Sequence, residues 1–228
     1  MPLSSTGDQI NATPARRPQP ITLAGRHVTL VPLEPKLHAD SLFRQTTGAL
    51  NDELWRYLFD GPFTNRTDFY AHLLQKSSSD AAVFFAILNN SSGSAVGYAS
   101  YMRIEPAHRC MEVGSILFSP ILQRTPAATE SMYLMARHAF EELGYRRYEW
   151  KCDARNEPSR RAALRLGFQF EGIFRQHMII KGANRDTAWY AMLDGDWPAR
   201  KANFERWLSP KNFDAAGKQL TSLSAMNG

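Results

Sequence analysis

The chain has 228 residues, enough for one generous domain or a domain with short tails. Hydrophobic residues make up 43% and charged residues 21%, and no apolar run approaches the ~18 residues of a membrane span. A membrane-spanning helical protein and a disordered chain are thereby excluded. The net charge of +5 is local: residues 137–185 hold 11 Lys or Arg against six Asp or Glu, while the remainder balances at 16 against 16. Cys110 and Cys152 lack metal-type spacing, so no metal is expected and a reduced, cytoplasmic location is the expectation.

Residues 1–20, rich in Pro and Arg and without a hydrophobic stretch, read as a flexible N-terminal arm rather than a secretory signal. "RHVTLVPL" (26–33) alternates as a first strand, followed by short helices over "PKLHADSLFRQT" and "NDELWRYL". "NRTDFYAHLLQKSSS" is an amphipathic helix with Asn65 as its N-cap. Apolar runs at 81–88, 95–104 and 109–119 read as an antiparallel meander. A helix from Pro126 to Leu143 carries Ala128, Met132, Met135, Ala139 and Leu143 on one stripe and stops at Gly144. A strand at 146–152, a helix at 156–167 and a long closing hairpin follow. The order predicts an α/β fold with about seven strands, spanning residues 21–198 as one domain, then a C-terminal helix and tail over 199–228.

The helix that starts at Pro126 has the makings of an anion site. Thr125 is a good N-cap and Pro126 fits the first helical position, where a missing N–H costs nothing. Ala127, Ala128 and Thr129 offer backbone N–H groups behind small side chains, and Arg124 adds a full charge. Any capped helix shares part of this pattern. The basic excess downstream fits a polyphosphate small molecule as well as a solvated face; without a nucleic-acid motif, nucleic acid is not expected as a partner.

Four segments, in order, resemble those of the GNAT-superfamily N-acetyltransferases, most closely the RimJ/RimL-like branch. "QRTPAATE" (123–130) is similar to that branch's acetyl-CoA loop, usually Gln-Gly-Lys-Gly-x-Ala-Thr-Glu. "NEPSRRAALRLGFQFEG" (156–172) is similar to its Asn-x-x-Ser…Gly-Phe…Glu-Gly segment. "LWRYLFDGPF" (54–63) resembles its acceptor-side helix and "MEVGSILFSP" its fourth strand. The resemblance implies a mixed, mostly antiparallel sheet flanked by helices, with central strands that splay after Phe118 and near Trp150 to admit acetyl-CoA. One departure stands out: Arg124 and Thr125 replace Gly-Lys, and Pro126 stands where the second Gly is usual, removing one donor.

The resemblance also implies roles. Gln123, Arg124, Thr125, Ala127, Ala128 and Thr129 would hold the pyrophosphate, Asn156 the pantetheine arm, and Ser159 would meet the departing thiolate. Asn156 is equally an N-cap for the helix that starts at Glu157-Pro158. The tyrosine many relatives carry later on that helix falls at Ala163, so it supplies no acid here. An acceptor amine is mostly protonated at pH 7, so a base helps. Glu112 is the first candidate, sharing a strand face with Gly114, Ile116 and Phe118 by period-two counting; a structural ion pair is the competing role. His177 is the second.

Trp55, Tyr57, Phe59, Tyr101 and Trp189 are the candidate acceptor walls, although aromatics at such spacing also build cores. Asp52, Glu53 and Asp60 would attract a cationic amine. A small amine or amino acid is the favoured acceptor, with a protein N-terminus as the alternative. A basic acyl-CoA- or nucleic-acid-binding module without turnover is the non-enzyme reading. A monomer and a homodimer both fit.

Overall fold

The computed structural model describes residues 10–228. Its centre is an eight-stranded sheet in the order β1-β2-β3-β4-β5-β6-β8-β7. The strands are β1 (Leu23–Ala24), β2 (Val28–Pro32), β3 (Val83–Asn89), β4 (Ala95–Glu105), β5 (Cys110–Phe118), β6 (Arg147–Asp153), β7 (Gln169–Ile180) and β8 (Ala183–Leu193). All neighbours are antiparallel except β5 and β6. The mixed, mostly antiparallel α/β architecture is therefore the expected one. The strand beyond the expected seven is β1, a two-residue piece whose length gives no periodic signal.

Helices α1 (Pro35–Thr46) and α2 (Arg66–Ser77) cover one face of the sheet. Their core joins Leu42, Phe69 and Leu73 to Tyr98 and Leu117. The segment "NDELWRYL" contributes a single 3₁₀ turn, Asp52–Trp55. The other face holds α3 (Pro126–Arg137), α4 (Glu157–Arg165) and α5 (Trp197–Leu208), over a core that includes Leu30, Tyr101, Met111, Met135 and Phe168. Every residue of α3 from Ala127 to Ala136 is buried, and a π-helical turn, His138–Glu142, continues it toward Gly144. Gly144 takes φ +79°, the left-handed stop that the sequence predicts.

The ends of the chain are more engaged than expected. Within the expected N-terminal arm, Ala15 N–H donates to Pro106 O and Arg16 N–H to Leu143 O, both at 3.0 Å. The Arg16 and Arg17 guanidinium groups reach the carbonyls of Glu142 and Asp80. This part of the arm is held to the body by backbone groups that the composition does not reveal; residues 1–9 lie outside the described residues. At the other end, α6 (Leu223–Asn227) returns to α4 and α5, with Asn227 Nδ2 donating to Arg165 O at 2.9 Å and Arg200 Nη1 to Asn227 O at 2.8 Å.

Glu130 ties the two halves of the domain together. Its carboxylate accepts from the backbone N–H groups of Arg26, His27 and Val28 at 2.9, 2.6 and 3.0 Å, anchoring the β1–β2 turn to α3. Gly25 makes room, since a Cβ there would lie 2.6 Å from Glu130 Oε2. Glu130→Ala leaves these donors unsatisfied and is expected to lower unfolding free energy by roughly 2–4 kcal/mol, the scale of abandoned hydrogen-bond groups. Urea denaturation checks it; a midpoint equal to wild type contradicts the role.

Candidate active site

β5 and β6 pair for only four residue pairs, from Cys110↔Arg147 to Val113↔Trp150. Both strands then continue without each other, to Phe118 and Asp153. The cause lies in β5. Ser115 takes φ +48°, and the pairing with β4 moves from Ser100↔Gly114 to Tyr98↔Leu117, three residues on one strand against two on the other. Such a bulge bends its strand and increases the local twist. Gly97 accommodates it, because a Cβ there would meet Leu117 O at 2.5 Å.

The bulge corrects one expectation. Leu117 packs with the α1–α2 core, while Ile116 and Phe118 pack with the α3 core. One extra residue reverses the alternation, so Glu112 shares its face with Gly114 but not with Ile116 or Phe118. Gly114 leaves room for two side chains, since a Cβ there would lie 2.5 Å from Met102 Sδ and 3.1 Å from Glu112 Oε1.

The gap between the strands is a cavity of about 920 Å³, toward the upper end of the ~300–1,000 Å³ typical of small-molecule sites. It brings together Glu112, Phe118, Gln123, Arg124, Thr125, Ala128, Thr129, Asn156, Ser159, Tyr57 and Phe59. Ala127, His177, Trp189, Trp55 and Tyr101 are outside its lining. Trp55 is fully buried against Phe63 and Phe69, with its indole N–H donating to Thr46 O at 2.6 Å. Tyr101 is equally buried on the α3 face, donating to Met135 O at 2.8 Å. Both are core residues, which corrects their assignment to the acceptor wall. Trp189 stacks on Phe174 and carries the Lys151 ammonium 3.8 Å from its ring centre.

At the helix end of the cavity, Thr125 caps α3 as expected, its hydroxyl accepting from Ala128 N–H at 3.2 Å. Thr129 N–H is taken by Thr125 O at 3.4 Å. Two of the three expected donors are therefore engaged inside the protein, and the third, Ala127, is buried outside the cavity lining. Arg124 adopts φ +60°, a left-handed turn that a glycine makes without strain. Arg161 and Arg165 line the same region, and Arg165 also donates to Thr129 Oγ1 at 3.1 Å. These arginines belong to the basic excess, which was the available signal for them. Trp207, Phe213 and Gln219 complete the wall from the C-terminal segment, where nothing in the sequence marked them.

Near the strand gap, Asn156 caps α4 by accepting Ser159 N–H at 3.1 Å. Trp150 Nε1 donates to Ser159 Oγ at 3.0 Å, which fixes the hydroxyl beside the Cys152 thiol. Cys152 also lines the cavity, and burial pushes its thiol pKa up, away from the thiolate a covalent route needs.

Glu112 is buried, with Arg103 Nε and Lys151 Nζ each 3.2 Å from Oε2. Neither cation meets that oxygen in hydrogen-bond geometry. Burial raises the Glu112 pKa, and Lys151 and then Arg103 pull against it. Lys151 is shared with Glu149 at 2.6 Å. Two of the three acids expected to draw in a cationic amine are occupied: Glu53 pairs with Arg56, and Asp60 with Lys76 at 3.1 Å.

The Acetyltransferase (GNAT) domain family matches residues 27–169. A crystal structure of a GCN5-related N-acetyltransferase from Brucella melitensis is 46% identical, covers 95% of this chain and 98% of that one, and superposes with a TM-score of 0.93. The N-acetyltransferase YnaD of Bacillus subtilis is 26% identical over 148 residues, 64% of this chain and 84% of YnaD. The ribosomal-protein-serine acetyltransferase of Escherichia coli is 30% identical over 98 residues, 43% of this chain and 54% of that protein.

His177 lies on β7 with Nδ1 2.9 Å from Thr187 Oγ1. Burial, then Arg103, Arg185 and Lys151, lower its pKa below the ordinary 6.5. The unfolded chain gains a proton near 6.5 before the folded one does, so this residue removes stability as pH falls through that value. An NMR titration is expected to give a His177 midpoint below 6.5, moving upward in Arg103→Gln. A midpoint at or above 6.5 contradicts this electrostatic environment.

Proposed function

The chain belongs to the GNAT acetyltransferase family, and from that premise we propose that it transfers an acetyl group from acetyl-CoA to a primary amine by direct attack. The observation that carries the reading is the parting of β5 and β6 over a cavity with an anion-suited helix start at one end and a buried carboxylate at the other. Bound there, acetyl-CoA supplies an activated thioester. The helix start and the charges of Arg124, Arg161 and Arg165 suit its phosphates, and the unpaired stretches of β5 and β6 offer backbone groups to its extended arm. The absence of glycine in the loop is offset by arginine charge.

Glu112 is the base favoured over His177, because it lines the cavity and its raised pKa brings it nearer the working range. Ser159 faces the thiolate as it leaves, with Trp150 holding its oxygen. A small acceptor is favoured by ties that roof the acceptor end. Lys181 Nζ donates to Trp55 O and Asp60 O at 2.9 and 3.0 Å, joining the β7–β8 turn to the 52–60 loop. Tyr57 OH donates to Arg155 O at 3.2 Å across the other side. A protein N-terminus is the second reading, because one relative carries the name of a ribosomal-protein-serine acetyltransferase.

The test is thiol release from acetyl-CoA with a panel of amines, amino acids and short peptides. Acetyl-CoA-dependent turnover is expected with at least one small amine; none with any acceptor overturns the reading. Glu112→Gln is expected to lower kcat by about 10²-fold, the lower range for a lost general base, with little change in KM for acetyl-CoA. Arg124→Ala is expected to do the reverse, raising that KM about tenfold, on the scale of one charge-assisted contact.

A further inference from the structure

Of the cations on the cavity wall, Arg124, Arg165 and Arg185 have no carboxylate within ion-pair distance among the described residues, and Arg185 is the one on the Glu112 side. Arg185, on β8, is only 8% exposed, and its guanidinium lines the cavity beside Phe59, 5.2 Å from that ring's centre. Its Nε is buried without a hydrogen-bond partner. No carboxylate among the described residues lies within ion-pair distance of it; Asp153, the acid on the neighbouring strand, pairs with Arg155 at 3.2 Å. The other cations around it are committed, Arg103 to Glu112 and Lys151 to Glu112 and Glu149.

An arginine stays protonated even when burial lowers its pKa, and a buried unpaired charge is costly. Such a group is an unfilled half of an ion pair. Its planar fork fits a carboxylate or another oxyanion with two parallel hydrogen bonds. Phe59 provides an apolar platform on one side of that fork. With Arg103 and Lys151 already paired to Glu112 and Glu149, the charge of Arg185 stays uncompensated and makes this end of the cavity unfavourable for a bare ammonium. A zwitterionic acceptor avoids that penalty, because its own anion neutralises the arginine while its amine faces Glu112. The same positive surroundings favour the neutral, nucleophilic form of the amine.

We propose that the acceptor is a small primary amine that also bears a carboxylate, of the amino-acid class, and that Arg185 receives the carboxylate. This rests on the acetyl-transfer reading and names the substrate class of the same site.

The experiment compares matched acceptors with the full chain: amino acids, their carboxamides, the corresponding decarboxylated amines, an aminoalkyl phosphate and short peptides. In wild type the amino acid is expected to exceed its carboxamide and decarboxylated amine at least tenfold in kcat/KM. In Arg185→Gln that ratio is expected to fall toward one, with Arg185→Lys in between. A wild-type ratio near one, a ratio unmoved by Arg185→Gln, or peptides exceeding every small amine overturns the proposal. Preference for the phosphate over the carboxylate also overturns it. A second readout is independent of turnover: the rise in Tm produced by each acceptor in the presence of CoA. A carboxylate-dependent rise that Arg185→Gln removes supports the site even if no acetyl group moves, which would then count against the transfer reading alone. No acceptor-dependent rise in wild type, together with no carboxylate preference in turnover, counts against the site. Arg185→Gln is expected to melt no lower than wild type, because it removes an unpaired charge; a lower Tm assigns Arg185 a structural role instead.

Discussion

The separation of two parallel strands after Val113 and Trp150 is the constraint on which the site depends. Had β5 run straight, its remaining residues would have paired with β6 and closed the sheet, because unpaired buried backbone groups are unfavourable. The bulge at Ser115 prevents this. Antiparallel pairing on the far side of each strand, β5 with β4 and β6 with β8, holds the two edges in place, so the gap persists as part of a rigid sheet. The groups with chemistry then collect at its edges: Glu112 before the bulge, Trp150 with Ser159 across from it, and α3 directly beyond the end of β5.

Charge around the gap forms a chain that is almost balanced. Glu171 meets Arg147, Arg147 meets Glu149, Glu149 meets Lys151, and Lys151 meets Glu112, which also meets Arg103. Within such a network each ion is partly compensated, and the low-dielectric setting strengthens both the pairs and any imbalance. Burial raises the Glu112 pKa, whereas its two cations favour the carboxylate. Burial is the larger influence, so the pKa stays raised.

Features that depend on neighbours along the chain were legible in the sequence. Thr125, Asn65 and Asn156 each accept a backbone N–H at the start of the helix they were expected to cap, and Pro126 and Pro158 occupy the first turns. The meander and the closing hairpin were legible because period-two runs and turn residues are local. The bulge was not, since Ser115 carries no sequence mark of a positive φ and the slip exists only relative to β4. Trp55 and Tyr101 were misplaced for a related reason: aromatic spacing gives the residue type that walls and cores share, and only packing separates them. The commitment of Ala128 N–H to Thr125 follows from the cap itself, so good capping and free donors were partly competing expectations.

The C-terminal segment shows how stability and site are coupled through residues with no motif. Trp197 stacks on Phe140 and Tyr133, and Tyr133 OH donates to Glu205 at 2.8 Å, fixing α5 along α3. From there Trp207 reaches the cavity, with the Arg165 guanidinium 4.8 Å from its ring centre and its indole N–H donating to Gln219 at 2.8 Å. Arg165 in turn bonds Thr129 on α3 and accepts from Asn227 through its carbonyl. One arginine therefore links the two helices on either side of the cavity and the returning C-terminus. Because it is largely buried and stacked, its position is fixed by packing and not by a flexible stem. The helix start at Thr125 and the cap at Asn156 thus keep their separation through contacts made outside the sheet, and the width of the gap is set from both ends.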